Sequence, residues 1–291
     1  MGLITFSVVT PSFNQGEFIE ETIKSVLSQK GKFCIEYIIM DGGSADNSVD
    51  IIKKYENLLK EGKWPVKCKG IEYKWLSERD EGQADAIEKG FAYAKGDIGV
   101  WLNSDDIFYS DNTLETVAMY FEKEDINLLI GNGIIIDKQG CKTGNHKTDR
   151  IDFKELVFLD YHILQPSAFL KIQFLKNNPF DKRLNYTFDA DFFIRLILSG
   201  VKYKKVSDTF SCFRLYPETK TISSMYKRVK ESMIIERKVT NSRLLLCASW
   251  IYKYFSVVIR VKYGKSYLVR FLYPYINKLF YRLIVGTWGR K

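Results

Sequence analysis

Two neighbouring carboxylates, Asp105 and Asp106, are the residues that most directly suggest chemistry. They follow the apolar run 98–102, which is typical of a buried strand. Two acids leaving a buried strand repel each other unless a cation or a basic group compensates them. A divalent cation, Mg²⁺ or Mn²⁺, takes oxygen ligands and keeps positions open for phosphates. We expect a metal site here, although one acid could instead cap the helix predicted to begin near Asn112.

A second acidic site lies in the segment 188–191, which contains Asp189 and Asp191. Asp189 stands at the start of an apolar helix predicted over 188–199, where an acid favourably caps the helix. A carboxylate on a loop that faces a metal site is equally suited to act as a general base. The residue pattern alone leaves both interpretations open.

The elements that position these acids follow from the apolar pattern of the first 140 residues. Apolar runs alternate with helical periodicity, which is typical of β-α-β units. The predicted strands are 3–9, 35–40, 71–76, 98–102 and 166–170, and the first helices are 17–29, 49–59 and 83–94. The sequence therefore predicts an α/β fold with an open, mostly parallel, twisted sheet flanked by helices.

Polar residues follow each of the first four strands where that strand ends. They are Ser12, Asn14, Asp41, Asp80, Glu81, Asp105 and Asp106. Each cluster alone could be a turn or a helix cap, because Ser, Asn and Asp favour both. The carboxyl ends of parallel strands share one edge of the sheet, where ligands bind. Four clusters together therefore predict a binding site.

Several other chemistries are poorly supported by the sequence. It contains two histidines, His146 and His162, and lacks a nucleophile elbow and a Walker motif. Its five cysteines are scattered without a CxxC pair, which indicates a reducing compartment. The start of the chain lacks a charged leader, so we expect a cytoplasmic location.

The C-terminal quarter differs in charge from the rest of the chain. Residues 225–291 contain 15 Lys/Arg and two acids, whereas the first 224 residues are mildly acidic. We divide the chain into a domain 1–222, with two halves 1–110 and 111–222, and a tail 223–291. Within the tail, 244–261 and 268–288 predict amphipathic helices that lysine and arginine interrupt.

The tail has two possible environments. Basic, aromatic helices suit the anionic inner face of a membrane, which would make the protein peripheral there. The alternative is that they pack on the domain with a solvated basic edge. The apolar content is too high for nucleic-acid binding.

Six segments form an ordered series of motifs along residues 3–215: 9–14 (VTPSFN), 40–46 (MDGGSAD), 78–86 (ERDEGQADA), 101–106 (WLNSDD), 165–169 (QPSAF) and 188–192 (FDADF). This series resembles the family-2 inverting glycosyltransferases, in which case 1–110 is expected to be the nucleotide-binding half and 111–222 the acceptor-binding half of the domain. The resemblance implies a GT-A-type fold and a nucleotide-diphosphate sugar donor, with a UDP-sugar expected. It also implies transfer to an acceptor hydroxyl in the synthesis of a surface polysaccharide or lipid-linked glycan.

The resemblance also implies roles for individual residues. Asp105 and Asp106 match the metal-binding motif, and Asp189 matches the catalytic base. The residues that would bind the donor are Thr10, Pro11, Ser12, Asn14, Asp41, Asp80, Gly82, Asp85, Asn103 and Asp105. His162, Gln165 and Asp191 are candidates for the acceptor side.

Two positions depart from the family pattern. Asn103 replaces the first acid of the Asp-x-Asp motif, and Phe188 replaces the Glu that commonly precedes the catalytic Asp. A sugar-1-phosphate nucleotidyltransferase is an alternative, but it would need a basic, glycine-rich loop where the sequence has 10–15 (TPSFNQ). A non-catalytic binding module is the third possibility, although it would not need the three acids at 105, 106 and 189.

Overall fold

The computed structural model describes residues 2–148, 151–159, 161–219, 223–263, 279–280 and 282. The strands are β1 (Thr5–Ser12), β2 (Cys34–Asp41), β3 (Gly70–Ser77), β4 (Ile98–Trp101), β5 (Ile107–Phe108), β6 (Leu128–Ile136), β7 (Lys142–His146), β8 (Ala168–Lys171) and β9 (Tyr203–Arg214). The helices are α1 (Ile19–Leu27), α2 (Ser48–Lys60), α3 (Gln83–Tyr93), α4 (Thr113–Lys123), α5 (Phe153–Phe158), α6 (Ile172–Asn177), α7 (Phe188–Leu198), α8 (Met225–Val239) and α9 (Arg243–Tyr263).

The first four strands form the parallel unit that the sequence predicts. Strand β1 lies between β2 and β4, and β3 pairs with the outer edge of β2. In this register Val9 is level with both Ile38 and Trp101. Because these strands are parallel, their carboxyl ends and the loops that follow them lie on one edge of the sheet.

The sheet becomes mixed beyond β4. Strand β8 lies between β4 and β6 and runs antiparallel to both, while β6 and β9 are parallel. Strand β5 pairs antiparallel with the far edge of β9, and β7 pairs antiparallel with β6. The α/β class is confirmed, and the antiparallel part is a feature that the apolar periodicity did not predict.

Both faces of the sheet are buried, so successive residues of a strand enter different cores. In β1, Phe6 and Val8 pack in the core that also contains α1, α2 and α4. Val9 points to the opposite core, which includes residues of α3 and α7. This two-sided burial explains why the first strands read as continuous apolar runs rather than as alternating ones.

Trp101, the last residue of β4, connects the sheet to α7. Its ring stacks on Phe193 with centroids 5.6 Å apart, and it contacts Phe192 edge to face at 5.8 Å. Phe180 contacts the same indole at 5.6 Å. Because aromatic groups of this size contribute strongly to packing, this cluster holds the start of α7 beside the loop that follows β4.

The predicted tail is helical where the structure describes it, in α8 and α9. Of the second predicted tail segment, 268–288, only residues 279–280 and 282 are described. The proposed division at residue 222 also falls among residues outside the described ranges, and it stays a prediction. No helix within the described residues is long and apolar enough to span a bilayer.

Candidate active site

The loops after β1, β3 and β4 border a cleft of about 660 Å³. Helix α7, the end of β9 and the segment before β8 close its other side. The predicted site residues that line it are Pro11, Ser12, Asp80, Gly82, Asn103, Asp105, His162, Gln165 and Asp189. The fold therefore brings residues of the predicted nucleotide-binding and acceptor-binding halves to one site.

Asp41 supports the rim of the cleft and does not line it. Its carboxylate is buried and accepts the main-chain N–H of Ser44 at 2.9 Å. The hydroxyls of Ser77 and Ser44 donate to the same carboxylate at 2.6 and 2.5 Å. These bonds fix the loop after β2, so donor contact by Asp41 would need that loop to rearrange.

Asn14 and Thr10 also organise the rim. Asn14 has a positive φ of 52°, and its side-chain oxygen accepts the N–H of Ala45 at 2.9 Å. Asparagine tolerates this left-handed conformation better than most residues. Thr10 is buried and shares a 3.1 Å hydrogen bond with the hydroxyl of Tyr37. Neither side chain lines the cleft, and their predicted donor contacts remain predictions.

The loop after β3 places Asp80 and Gly82 at the cleft, whereas Asp85 does not line it. Gly82 has a φ of 115°, and its N–H donates to Asp80 over 2.9 Å. Glycine suits this backbone conformation because a side chain would strain it. Asp85 lies in the first turn of α3, where it accepts the N–H of Glu81 at 3.2 Å and pairs with Lys89 at 3.0 Å. These contacts stabilise the start of the helix, and the predicted donor contact of Asp85 remains a prediction.

The two adjacent acids have different environments. Asp105 is partly buried and lines the cleft, where the hydroxyl of Tyr216 donates to its carboxylate over 3.3 Å. Asp106 is fully buried and does not line the cleft. Burial, and then the charge of Asp105, raise the pKa of Asp106 well above the usual range of an aspartate.

The contacts of Asp106 explain its burial. Its carboxylate accepts the main-chain N–H of Arg214 at 2.9 Å and the side-chain amide of Asn103 at 3.1 Å. Its main-chain carbonyl accepts the hydroxyl of Thr22 at 2.7 Å. Both carboxylate oxygens of Asp106 face these protein donors, so Asp106 fixes the loop and Asp105 is the acid of the pair that lines the cleft. A metal-binding role for either acid stays a prediction.

Arg214, which the sequence analysis did not single out, holds this acidic loop from the other side. Its guanidinium is buried and donates to the main-chain carbonyls of Asp105 and Lys138, at 2.9 and 2.8 Å. It also pairs with Glu21 of α1 at 2.5 Å and lies over the ring of Phe18, 5.1 Å from its centroid. Strand β9 mixes polar with apolar residues and also contains Lys204 and Lys205, so no local sequence signal distinguished Arg214.

A chain of amide groups forms the floor of the cleft. Gln83 donates to the oxygen of Asn103 over 2.7 Å, and Asn103 in turn contacts the oxygen of Gln165 at 3.4 Å. Gln165 donates to the main-chain carbonyl of Trp101. This network explains why an asparagine stands at position 103. An amide group can donate and accept hydrogen bonds at the same time, whereas a carboxylate can only accept them.

Asp189 lies at the start of α7 and lines the same cleft as Asp105. Burial raises the pKa of Asp189 above its ordinary value, and the positive charge of Arg228 opposes this increase. The negative charge of Glu231 raises the pKa of Asp189 further. The hydroxyl of Tyr161 is also buried. Burial is the main cause of the raised pKa of this tyrosine, and the negative charge of Asp189 raises it further. A carboxylate with a raised pKa in a cleft is suited to accept a proton.

The loop before Asp189 is held by Glu231, which belongs to α8. Its carboxylate accepts the main-chain N–H groups of Asn185, Tyr186 and Thr187 at 2.9, 2.8 and 3.0 Å. The helix itself provides no side-chain cap at this end. A carboxylate at a helix N-terminus satisfies donors that would otherwise lack partners and interacts favourably with the helix dipole.

Asp191, a predicted acceptor-side residue, lies outside the cleft. It is fully buried and pairs with Arg195 at 2.8 Å and with Lys238 of α8 at 2.5 Å. Lys238 also pairs with Asp181 at 2.8 Å. We therefore correct the prediction: Asp191 points away from Asp189 because it is two residues further along the helix, and it joins α7 to α8.

His162 lines the cleft. The hydrogen bonds described for this residue involve its main-chain carbonyl and have a structural role. Its main-chain carbonyl shares a hydrogen bond of 2.8 Å with the Nε2 atom of His146 and accepts the hydroxyl of Thr148 at 3.2 Å. These bonds tie the segment before β8 to β7. An acceptor role for this side chain remains a prediction.

The site fits a divalent cation in one limited way. Among the described residues, no cluster of three or more histidines, cysteines or acids could form a complete protein cage. Asp105 presents a single carboxylate to the cleft. Magnesium and similar hard cations are commonly held by one or two carboxylates together with substrate phosphates. The donor set therefore suits a cation that binds with the nucleotide.

The sheet order, the acidic loop at the end of β4 and the facing carboxylate on α7 define a GT-A-type α/β enzyme. Comparison with known families then identifies the group. The chain belongs to Glycosyl transferase family 2, whose model matches residues 7–193. The protein is thus a glycosyltransferase, and the match favours this prediction over the nucleotidyltransferase and the non-catalytic module.

Individual relatives agree with this assignment. The chain is 26% identical over 269 residues to the poly(ribitol-phosphate) beta-N-acetylglucosaminyltransferase TarP of Staphylococcus aureus, covering 82% of this chain and 76% of TarP. In three other curated relatives the match covers less than half of the relative's length, 45%, 45% and 38%.

Two solved structures have a similar fold. The structure of S. aureus TarS residues 1–349 in complex with UDP-GlcNAc has a TM-score of 0.64 at 19% identity, covering 89% of this chain and 76% of that one. Glucosyl-3-phosphoglycerate synthase of Mycobacterium tuberculosis, in complex with Mn²⁺, UDP and its product, has a TM-score of 0.55 at 18% identity, with 82% of each chain covered.

Proposed function

We propose that this glycosyltransferase moves a sugar from a UDP-sugar to an acceptor hydroxyl with inversion at the anomeric carbon. The observation that carries the proposal is that Asp105, from the loop after β4, and Asp189, from the start of α7, line one cleft. One carboxylate is then available to the nucleotide diphosphate and the other to the acceptor. Inversion follows if the acceptor oxygen attacks the face of the sugar opposite the leaving diphosphate.

On the donor side, we assign Pro11, Ser12, Asp80 and Gly82 to the nucleotide, because they line the cleft at the ends of β1 and β3. Asp105 would hold a divalent cation that is shared with the diphosphate. Such a cation supplies positive charge that neutralises the leaving nucleotide. The similar fold whose structure contains Mn²⁺ and UDP supports this use of the site.

On the acceptor side, Asp189 acts as the general base. Its carboxylate accepts the proton of the attacking hydroxyl while the new glycosidic bond forms and the bond to the diphosphate breaks. Its burial favours this role, because a raised pKa makes the carboxylate a stronger base. Glu231 and Arg228 fix the position and the charge environment of this base.

The names of the relatives indicate the substrate class. TarP acts on poly(ribitol-phosphate), and the similar TarS structure contains UDP-GlcNAc. We propose that the donor is a UDP-hexose or UDP-N-acetylhexosamine and that the acceptor is a hydroxyl of a surface polymer or its lipid-linked precursor. Arg228, a cation in the cleft, suits an acceptor that bears phosphate groups.

The experiment uses Asp189→Asn, which keeps the shape of the side chain and removes its basicity. We expect this variant to bind the UDP-sugar with unchanged affinity by calorimetry and to lose transfer by about 10²–10⁴-fold. Asp125→Asn changes an aspartate that is 73% exposed and does not line the cleft, and it serves as the control. Transfer by Asp189→Asn at a rate close to the wild type would refute the assignment of this residue as the base.

A further inference from the structure

Helix α9 packs with the polar side chains of Ser249 and Lys253 directed into the protein. The Ser249 hydroxyl is fully buried and donates to the main-chain carbonyl of Phe158 at 2.7 Å. The Lys253 ammonium donates to the carbonyl of Val157 at 2.7 Å and pairs with Glu236 at 2.6 Å. The face of the helix that carries these two residues is therefore a buried face.

The opposite side of the helix, which we call the outer face of α9, is apolar and exposed. It consists of Leu244, Trp250, Ile251, Tyr254 and Phe255. Leu244 and Ile251 are 73% and 52% exposed, and the rings of Trp250 and Tyr254 stack 5.5 Å apart. A contiguous exposed surface of this kind marks an interaction site, because ordinary amphipathic helices bury their apolar side.

The exposed charges of the two helices that form this part of the chain are positive. The segment 225–263 contains two acids, Glu231 and Glu236, and both are buried in the contacts described above. The exposed basic residues of α8 and α9 include Lys227, Lys230, Arg237 and Arg243. The exposed charge of this described segment is therefore exclusively positive.

We propose that the outer face of α9 lies on an anionic lipid surface, with the surrounding lysines and arginines against the head groups. Tryptophan and tyrosine are suited to the boundary between hydrocarbon and water, since each has an apolar ring and a polar group. A second copy of this chain fits less well, because it would bring two surfaces of the same positive sign together. The inference is independent of the proposed function.

The geometry favours contact with a bilayer rather than insertion across it. Within the described residues no helix is able to span a bilayer, and the buried face of α9 is fixed to the domain by hydrogen bonds. Tyr226 of α8 contacts Tyr254 with ring centroids 5.9 Å apart, so α8 adjoins the same face. Since Arg228 of α8 lines the cleft, contact would hold the cleft close to the lipid surface.

The test is flotation of the full chain with vesicles of phosphatidylcholine alone or mixed with phosphatidylglycerol. We expect the protein to float with the anionic vesicles, to do so weakly with the neutral ones, and to be released by salt. The double variant Trp250→Ser/Phe255→Ser should reduce the partition coefficient by at least about tenfold. The matched control, Met119→Ser/Leu198→Ser, changes two exposed apolar residues elsewhere and should bind like the wild type.

Circular dichroism and donor binding establish that both double variants are folded. Absence of flotation with anionic vesicles would overturn the proposal, as would equal flotation by the wild type and Trp250→Ser/Phe255→Ser. Sedimentation velocity examines the second copy directly. A wild-type dimer that this double variant dissociates would assign the outer face to self-association and would also overturn lipid contact.

Discussion

The main-chain N–H of Arg214 donates to the carboxylate of Asp106 over 2.9 Å, although 108 positions separate them in the sequence. This bond joins the end of β9 to the loop after β4. The Arg214 guanidinium adds a bond to the carbonyl of Asp105. The orientation of the acid that faces the cleft thus depends on a residue from the far end of the domain.

We predict that Arg214→Lys reduces transfer by at least about tenfold and destabilises the protein by about 3 kcal/mol. Lysine keeps the charge but loses the planar set of donors that reaches the carbonyls of Asp105 and Lys138 together. Thermal unfolding and steady-state kinetics measure both effects. Arg183→Lys, an exposed arginine paired with Asp181, is the control and should change neither quantity appreciably.

We predict that Asp105→Asn abolishes the effect of Mn²⁺ or Mg²⁺ on UDP binding. The substitution removes the carboxylate that lines the cleft while leaving the loop contacts of Asp106 in place. Titration calorimetry of UDP with and without the metal measures the coupling between them. Asp111→Asn changes an exposed acid paired with Lys30 and should retain that coupling. Metal-independent UDP binding by the wild type would contradict the prediction.

The pH dependence of transfer should reflect Asp189. Burial raises the pKa of Asp189, and the base must be ionised to accept a proton. The rate should therefore fall as pH decreases through a value above that of an ordinary aspartate. Arg228 lowers this pKa, so Arg228→Gln should move the acid limb of the profile to higher pH. The pH profile of kcat for both proteins tests the direction, and a shift to lower pH would contradict it.

We predict that Glu231→Gln lowers kcat by about ten- to a hundredfold with little change in the KM for the donor. Glutamine has one oxygen where the carboxylate has two, so it cannot accept all three main-chain N–H groups before α7. The base is then less well positioned, while the donor side of the cleft is unaffected.

Glu236→Gln is the matched control for this variant. Glu236 is a buried carboxylate of the same helix, but it binds Lys253 and Ser249 on α9 and is remote from the start of α7. Its substitution should lower the melting temperature and leave kcat within about threefold of the wild type. Equal losses of kcat in the two variants would indicate a general destabilisation of α8 in place of a positioning role for Glu231.

The first part of the fold could be predicted because its signals are local. Strands β1, β2 and β4 are short, mainly apolar runs, and β3 alternates apolar with charged residues. Each of the four is followed by polar residues that had to meet once the strands were parallel. The antiparallel insertion of β8 was not predictable from periodicity, because its partners β4 and β6 are distant in sequence. The residue pattern indicates where each strand lies along the chain, but the order of the strands in the sheet depends on pairing between distant segments.

The sequence by itself determined the α/β class, the family and the acids at positions 105 and 189, since all depend on residue type and order. Only the tertiary structure decided which acid of each pair faces the cleft. Asp105 and Asp189 line it, whereas Asp106 bonds to Arg214 and Asp191 pairs with Lys238. The tertiary structure also decided which face of α9 is buried. Its polar side chains Ser249 and Lys253 lie inside because Glu236 and two main-chain carbonyls accept their hydrogen bonds. Burial of a polar group depends on donors and acceptors from other elements, and no local pattern records them.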